Sequence, residues 1–145
     1  MLLAMPVASG AAITGPDVAA CAAGARGSAL LVRVSGFKDR VGLLRISTYP
    51  ATDADWLVKG RYTKRIDMPV PSAGDAEVCV GLVGAGHYAV AVLHDRNGDH
   101  HANIFRDGGG FSNNPSLGFS KPAVDKVAFA AGLGITQVPI TLKYL

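Results

Sequence analysis

Apolar and polar residues alternate with a period of two in several short runs, and turn-forming residues separate the runs. Residues 28–35 set Leu30, Val32 and Val34 against Leu31, Arg33 and Ser35, the pattern of a half-buried strand. After a turn at residues 36–40, residues 41–49 place Leu44, Ile46 and Thr48 on one side and Arg45 and Ser47 on the other. A hairpin is the simplest link between these two runs. Residues 61–68 and 76–82 are further short strands, separated by Pro69, Pro71 and Gly74. The strongest run lies in GHYAVAVLHDRNGD, residues 86–99: Tyr88, Val90, Val92 and His94 share one face, and Ala89, Ala91 and Leu93 the other. Apolar residues on both faces predict a central strand with cover on each side.

Between these strands, residues 50–59 read as a loop or one helical turn, with Trp56 expected to plug an end of the fold. Residues 96–125 show weak periodicity and carry Gly, Asn and Pro throughout; loops of that length are uncommon in compact domains and are often functional. The chain closes with residues 126–131 and 135–144, where Val138, Ile140, Leu142 and Tyr144 alternate with Gln137, Pro139, Thr141 and Lys143. Pro139 has no N–H to give a ladder, so this last strand is an edge or carries a bulge. About seven short strands with no internal repeat predict an all-β protein, an antiparallel sandwich of prealbumin-like or immunoglobulin-like type with one long loop.

Composition narrows the class. At 145 residues and 49% hydrophobic content the chain makes one domain with a real core, and its 18 glycines and 8 prolines follow no collagen-like period. The net charge of +3 reflects few acids, with Glu77 the single glutamate, and the basic residues are scattered apart from Lys59, Arg61, Lys64 and Arg65. Nucleic-acid binding is not expected from so small a patch. The first residues, MLLAMPVASGAAITG, look like the back half of a secretory signal, with Ala8 and Gly10 or Gly10 and Ala12 fitting a small-x-small cleavage rule, although no Lys or Arg precedes Arg26. Pro6, Ser9, Gly10 and Thr14 interrupt the run, so a membrane span is not expected. Residues 1–27 are therefore set apart as a leader and N-terminal segment, and residues 28–145 as the sandwich domain. Val78, Val80 and Leu82 share a face that excludes Cys79, which is free to meet Cys21 if the N-terminal segment crosses that side. A disulfide and two unrelated buried thiols are the alternatives.

GHYAVAVLHDRNGD, then GFSNNP at residues 110–115, then GFSKPAVDKVAF at 118–129 and an alternating strand ending in Tyr144, resemble the bacterial family called domain of unknown function 2141. The resemblance covers residues 30–144. It implies a secreted or periplasmic β-sandwich with no assigned activity, and its G-x-Y-x-V-x-V strand is also similar to those of transthyretin-like and carboxypeptidase regulatory domains. Relatives often carry a D-x-N-x-N-G-x-x-D loop; here the glycine comes early, at Gly98, the last position is Asn103, and Val83, Gly84 and Ala85 replace the proline usual before the G-x-Y strand.

Asp95, Asn97, Asp99 and Asn103 occupy positions one, three, five and nine of a calcium-loop template, with the His101 carbonyl at seven. Calcium takes six to eight oxygens, and side chains two residues apart on a tight loop converge on one point. His100 replaces the template glycine, and Arg106 stands where a bidentate glutamate belongs, with Asp107 one residue late. The loop is thus a candidate calcium site or a metal-free Asx turn, in which Asp and Asn side chains take backbone N–H groups. His94, His100 and His101 with Asp95 and Asp99 form a second constellation for zinc or copper, but His94 follows Val90 and Val92 inward and reads better as a hydrogen-bonded histidine at the core edge. Ser112 with His87 or His94 suggests a hydrolase, yet it lacks a nucleophile elbow and fits a loop hydrogen bonder. The glycines at 108–110 lack the lysine and helix of a phosphate loop. Phe105, Phe111 and Phe119 are expected to anchor the long loop or, if exposed, to bind peptide or glycan.

These residues predict a non-catalytic exported binding or structural module with calcium as its candidate cofactor. Its partner is expected to be a cell-envelope protein, peptide or glycan. A metal-assisted hydrolase using His94, His100 and Asp95, and a small-ligand carrier with a cavity between the sheets, are the competing classes.

Overall fold

A computed structural model of the chain describes residues 12–103, 106–116 and 121–144. Among these described residues nine strands form two facing sheets. In chain order they are β1 (Ile13–Thr14), β2 (Ser28–Ser35), β3 (Leu43–Pro50), β4 (Lys64–Pro69), β5 (Ala76–Gly81), β6 (Gly86–Asp95), β7 (Gly108–Phe111), β8 (Phe129–Ala131) and β9 (Gly134–Thr141); a 3₁₀ turn (Val18–Cys21) follows β1 and a single helical turn, α1 (Val124–Val127), precedes β8. One sheet has the order β1-β5-β2-β9 and the other β4-β3-β6-β7, with β8 also on β6. The all-β sandwich expected from the alternation is therefore present.

Most pairings are antiparallel, but β2–β9 and β1–β5 are parallel. Among the described residues β9 pairs with β2 alone, so Pro139 sits on an edge strand, as its missing N–H requires. Leu30, Val32, Val34, Val78, Val80, Val138 and Ile140 from one sheet meet Leu44, Ile46, Ile66, Tyr88, Val90 and Val92 from the other in a single buried cluster. The period-two faces read from the sequence are the faces that meet.

Two local expectations fail for identifiable reasons. β2 and β3 do not form a hairpin; β2 lies between β5 and β9, β3 between β4 and β6, and the link between them crosses from one sheet to the other. Gly36 and Gly42, at φ +83° and +78°, turn the chain over the sandwich end, and Phe37 packs against the core there, edge-on to His94. Trp56 does not plug an end of the sandwich. It lies on the outer face of the second sheet, in a cluster with Tyr49, Ala89 and Val127, edge-on to Tyr49 and Phe111, and its indole N–H donates to the Pro122 carbonyl at 2.9 Å. That cluster covers the second apolar face of β6.

The segment before Ser28 is tied into the sandwich. β1 pairs with β5, and Cys21 forms a disulfide with Cys79 across the outer face of the first sheet (Cα–Cα 6.0 Å). Asp17 accepts the Gly81 N–H at 3.0 Å and pairs with Lys64 at 2.9 Å, joining a strand of each sheet. The leader-like residues 1–11 lie outside the described residues. Among the described residues no helix is long and apolar enough to cross a membrane.

Candidate functional site

β6 delivers two side chains to the same end of the sandwich: His94 turns inward and Asp95 leads into the loop. Asp95 is only 2% exposed. Its Oδ2 accepts the His100 N–H at 2.8 Å, while its buried Oδ1 has no hydrogen-bond partner. Left-handed backbone at Gly98 (φ +69°) and His100 (φ +64°) folds the loop back over the strand end. Asp99 accepts the His101 N–H at 2.9 Å and the Asn97 side-chain amide at 3.1 Å, and these bonds hold its carboxyl below the usual range.

Asp107 closes the loop. It is 6% exposed, and its two oxygens accept the Arg96 N–H at 3.0 Å and the Asn103 N–H at 2.9 Å. The Asn103 carbonyl in turn accepts the N–H groups of Arg106 and Asp107. One carboxylate oxygen from each of Asp95, Asp99 and Asp107 lies within 4.8 Å of the other two. Two guanidinium groups lie near the carboxylates: Arg96 pairs with Asp39, whose carboxyl it holds below the usual range, and also attracts Asp107, while Arg45 pairs with Asp67 at 2.7 Å, contacts the His100 ring at 3.2 Å and also attracts Asp95.

Of the four residues expected from the spacing, the fold brings Asp95 and Asp99 together and sets Asn97 against Asp99. Asn103 bonds to Asp107 through its backbone. Asp107, one residue late for the template's last position, joins the cluster where Arg106 stands in the template, because this loop carries one residue more before its closing acid. The acid directly before the glycine run is the signal that finds it. Gly42 belongs to the same construction: a Cβ there would overlap the Asp95 carbonyl oxygen and lie 2.8 Å from Arg96 Cα, so only glycine lets the β2–β3 link pass so close.

The other candidates have structural partners. His94 is fully buried, with Nε2 2.7 Å from the Val41 carbonyl and Nδ1 2.6 Å from the Tyr144 hydroxyl. A carbonyl only accepts, so the hydrogen-bond network assigns the proton to Nε2 and makes Nδ1 the acceptor of the tyrosine O–H. Ser112 is buried; its hydroxyl donates to the Val127 carbonyl and accepts the Val90 N–H at 3.0 Å. His87 is exposed at the other end of β6.

The glycines at 108–110 lie in β7 rather than in an open loop. A Cβ at Gly108 would overlap the Tyr144 ring, and one at Gly110 would come within 2.6 Å of Ile140 Cγ2. Within GFSNNP, Asn113 donates to the Ala128 carbonyl at 2.9 Å, and Asn114 donates to the Pro139 carbonyl at 3.2 Å and accepts the Thr141 N–H at 2.8 Å. The motif stitches β7 to β9 across the open side of the sandwich. Phe111 packs on Trp56, while Phe105 and Phe119 lie outside the described residues. The basic group disperses: Arg61 pairs with Asp55, Lys64 with Asp17, and Arg65 stacks on Tyr62 at 4.0 Å.

No curated protein and no solved structure matches the chain. The family model described as an uncharacterized protein conserved in bacteria, DUF2141, matches residues 32–138, from β2 through the Asp95 loop and the GFSNNP motif into β9, and the chain belongs to that family.

Proposed function

We propose that this protein is a non-catalytic, exported β-sandwich module of the bacterial cell envelope, binding or structural in role, whose loop 95–107 takes up a calcium ion. The observation that carries the calcium reading is the buried Asp95 carboxylate, with one oxygen lacking any partner, among three carboxylates whose oxygens lie within 4.8 Å of one another. Burying an unpaired carboxylate oxygen is costly, and gathering three negative charges adds to that cost. A hard divalent cation removes both penalties, and the donors here are oxygens. Asp95, Asp99 and Asp107, with Asn97 and Asn103 on the same loop, are the residues assigned to the ion, whose chemistry would be structural. The Cys21–Cys79 disulfide supports an oxidising compartment, either secreted or periplasmic. A non-catalytic role is favoured because Ser112 and both nitrogens of His94 serve the fold.

Calorimetric titration with calcium, alongside thermal melts, tests the reading. The expected Kd is on the order of 10⁻⁴–10⁻³ M, as for extracellular modules. At tenfold excess over Kd the ion stabilises by about 1.4 kcal/mol, and Asp95→Asn abolishes the effect. A melting temperature unmoved by calcium up to about 10 mM, well above that affinity range, rules the ion out.

A further inference from the structure

The end of the sandwich opposite the acidic loop is built from unusual loop chemistry. Three segments meet there: residues 22–27, 82–85 and 132–133. Leu82 N–H bonds the Ser28 carbonyl, Gly134 N–H bonds the Gly27 carbonyl, and Gly86 pairs with Ala131, which brings the three together. Surface loops are ordinarily made of Gly, Pro, Asn, Asp and Ser. These contain only Gly, Ala, Leu and Val, apart from Arg26. Val83 is 98% exposed and Leu133 is 84% exposed, and Ile135, beside Leu133, is exposed as well.

The glycines flanking these tips are not explained by packing. A Cβ at Gly84, Gly132 or Gly134 would meet nothing within 4 Å. The tips therefore project into open space on slender backbone. Arg26 is exposed and makes no ion pair among the described residues, and Asp17, beside Gly81 at this end, is already paired with Lys64. Arg26 is thus the one charged residue of the three segments.

We infer that this end of the molecule docks on an anionic lipid surface, with Val83 and Leu133 entering the boundary between headgroups and acyl chains and Arg26 meeting the lipid phosphates. Separate projecting aliphatic tips suit a medium that deforms around them. A rigid protein partner needs a continuous complementary face, of about 1,000 Å² or more in total, which two tips on bare glycine stems do not offer. Arg26, unpaired among the described residues, favours an anionic surface over a neutral one.

Co-sedimentation of the full chain with phosphatidylcholine vesicles, with and without phosphatidylglycerol, tests this. The protein is expected to partition onto the anionic vesicles. Leu133→Ser lowers the partition coefficient about tenfold or more, and Val83→Ser acts similarly, since each removes one buried aliphatic side chain. Arg26→Glu lowers binding to anionic vesicles by roughly fivefold or more and leaves any binding to pure phosphatidylcholine unchanged. All three positions are exposed, so melting temperatures should stay at the wild-type value, which separates lost docking from lost folding. Failure of the wild-type protein to sediment with either vesicle overturns the proposal. Equal binding by the Leu133→Ser and Val83→Ser variants overturns it too. So does light scattering that shows a dimer abolished by those two substitutions, because the tips would then serve a second copy of the chain.

Discussion

Removing the disulfide by a Cys21→Ala/Cys79→Ala double substitution should cost a large share of the stability. The bridge spans 58 residues, and the closed loop includes β2, β3, β4 and β5, strands drawn from both sheets. In the chain-entropy account, releasing a loop of that size returns to the unfolded chain about 4 kcal/mol of conformational freedom. For 145 residues the unfolding entropy near the transition is about 0.3 kcal/mol/K, so the melting temperature should fall by about 13 °C. Calorimetry and urea titration measure both quantities. Because the mechanism acts on the unfolded state, the urea m-value should rise as that state expands. Reduced wild-type protein keeps both sulfurs and separates this from packing: it should match the double variant. A fall below about 4 °C, or a loss seen in the variant but absent from reduced wild-type protein, would refute the entropic reasoning in favour of a small cavity effect.

Ser112→Ala should cost about 2 kcal/mol, because it strips a buried N–H acceptor from Val90 and a donor from the Val127 carbonyl; a urea midpoint indicating less than about 0.5 kcal/mol would show that the hydroxyl is dispensable. Asp67 is held below the usual carboxylate range mainly by its hydrogen bonds to Arg45, so its contribution is present in full above the ordinary aspartate pKa of about 4 and is lost as pH falls through the lowered folded value. The melting-temperature gap between wild type and Asp67→Asn should therefore be widest near neutrality and close in acid; a gap independent of pH would contradict the pairing.

Alternation made most of the architecture readable. β2, β5 and β6 fall where period two puts them, and the exclusion of Cys79 from the Val78–Val80 face left it free to meet Cys21, which is the one of the two alternatives that the fold adopts. β7 was hidden because its GGGF sequence has almost no side chains to alternate. The reason lies elsewhere in the chain, in the Tyr144 ring and Ile140 that occupy the space a side chain would need. No local pattern reports a demand made by residues some 30 positions away. The crossing of β2 to β3 was hidden for a related reason. A short polar link between two amphipathic strands fits a hairpin and an inter-sheet crossing equally well, and the choice depends on which neighbours the strands find. At the candidate site, Asp95 and Asp99 were legible from the two-residue spacing of Asp95, Asn97 and Asp99. Asp107 was visible only as an acid one residue late for the template, since its place depends on how the loop returns to Arg96.

The parallel pairing of β2 with β9 has a consequence for how the molecule is made. Ser28 sits beside Gly134 and Ser35 beside Thr141, so the first long strand waits for the last one, and the Ser35–Thr141 contact alone closes a separation of 106 residues. Such non-local order slows folding toward the millisecond-to-second range. Until β9 emerges, β2 has one unclaimed edge and Asn114 has no strand to hold. The first sheet therefore completes only once β9 is available, and a partly synthesised chain keeps the free edge of β2 open until then.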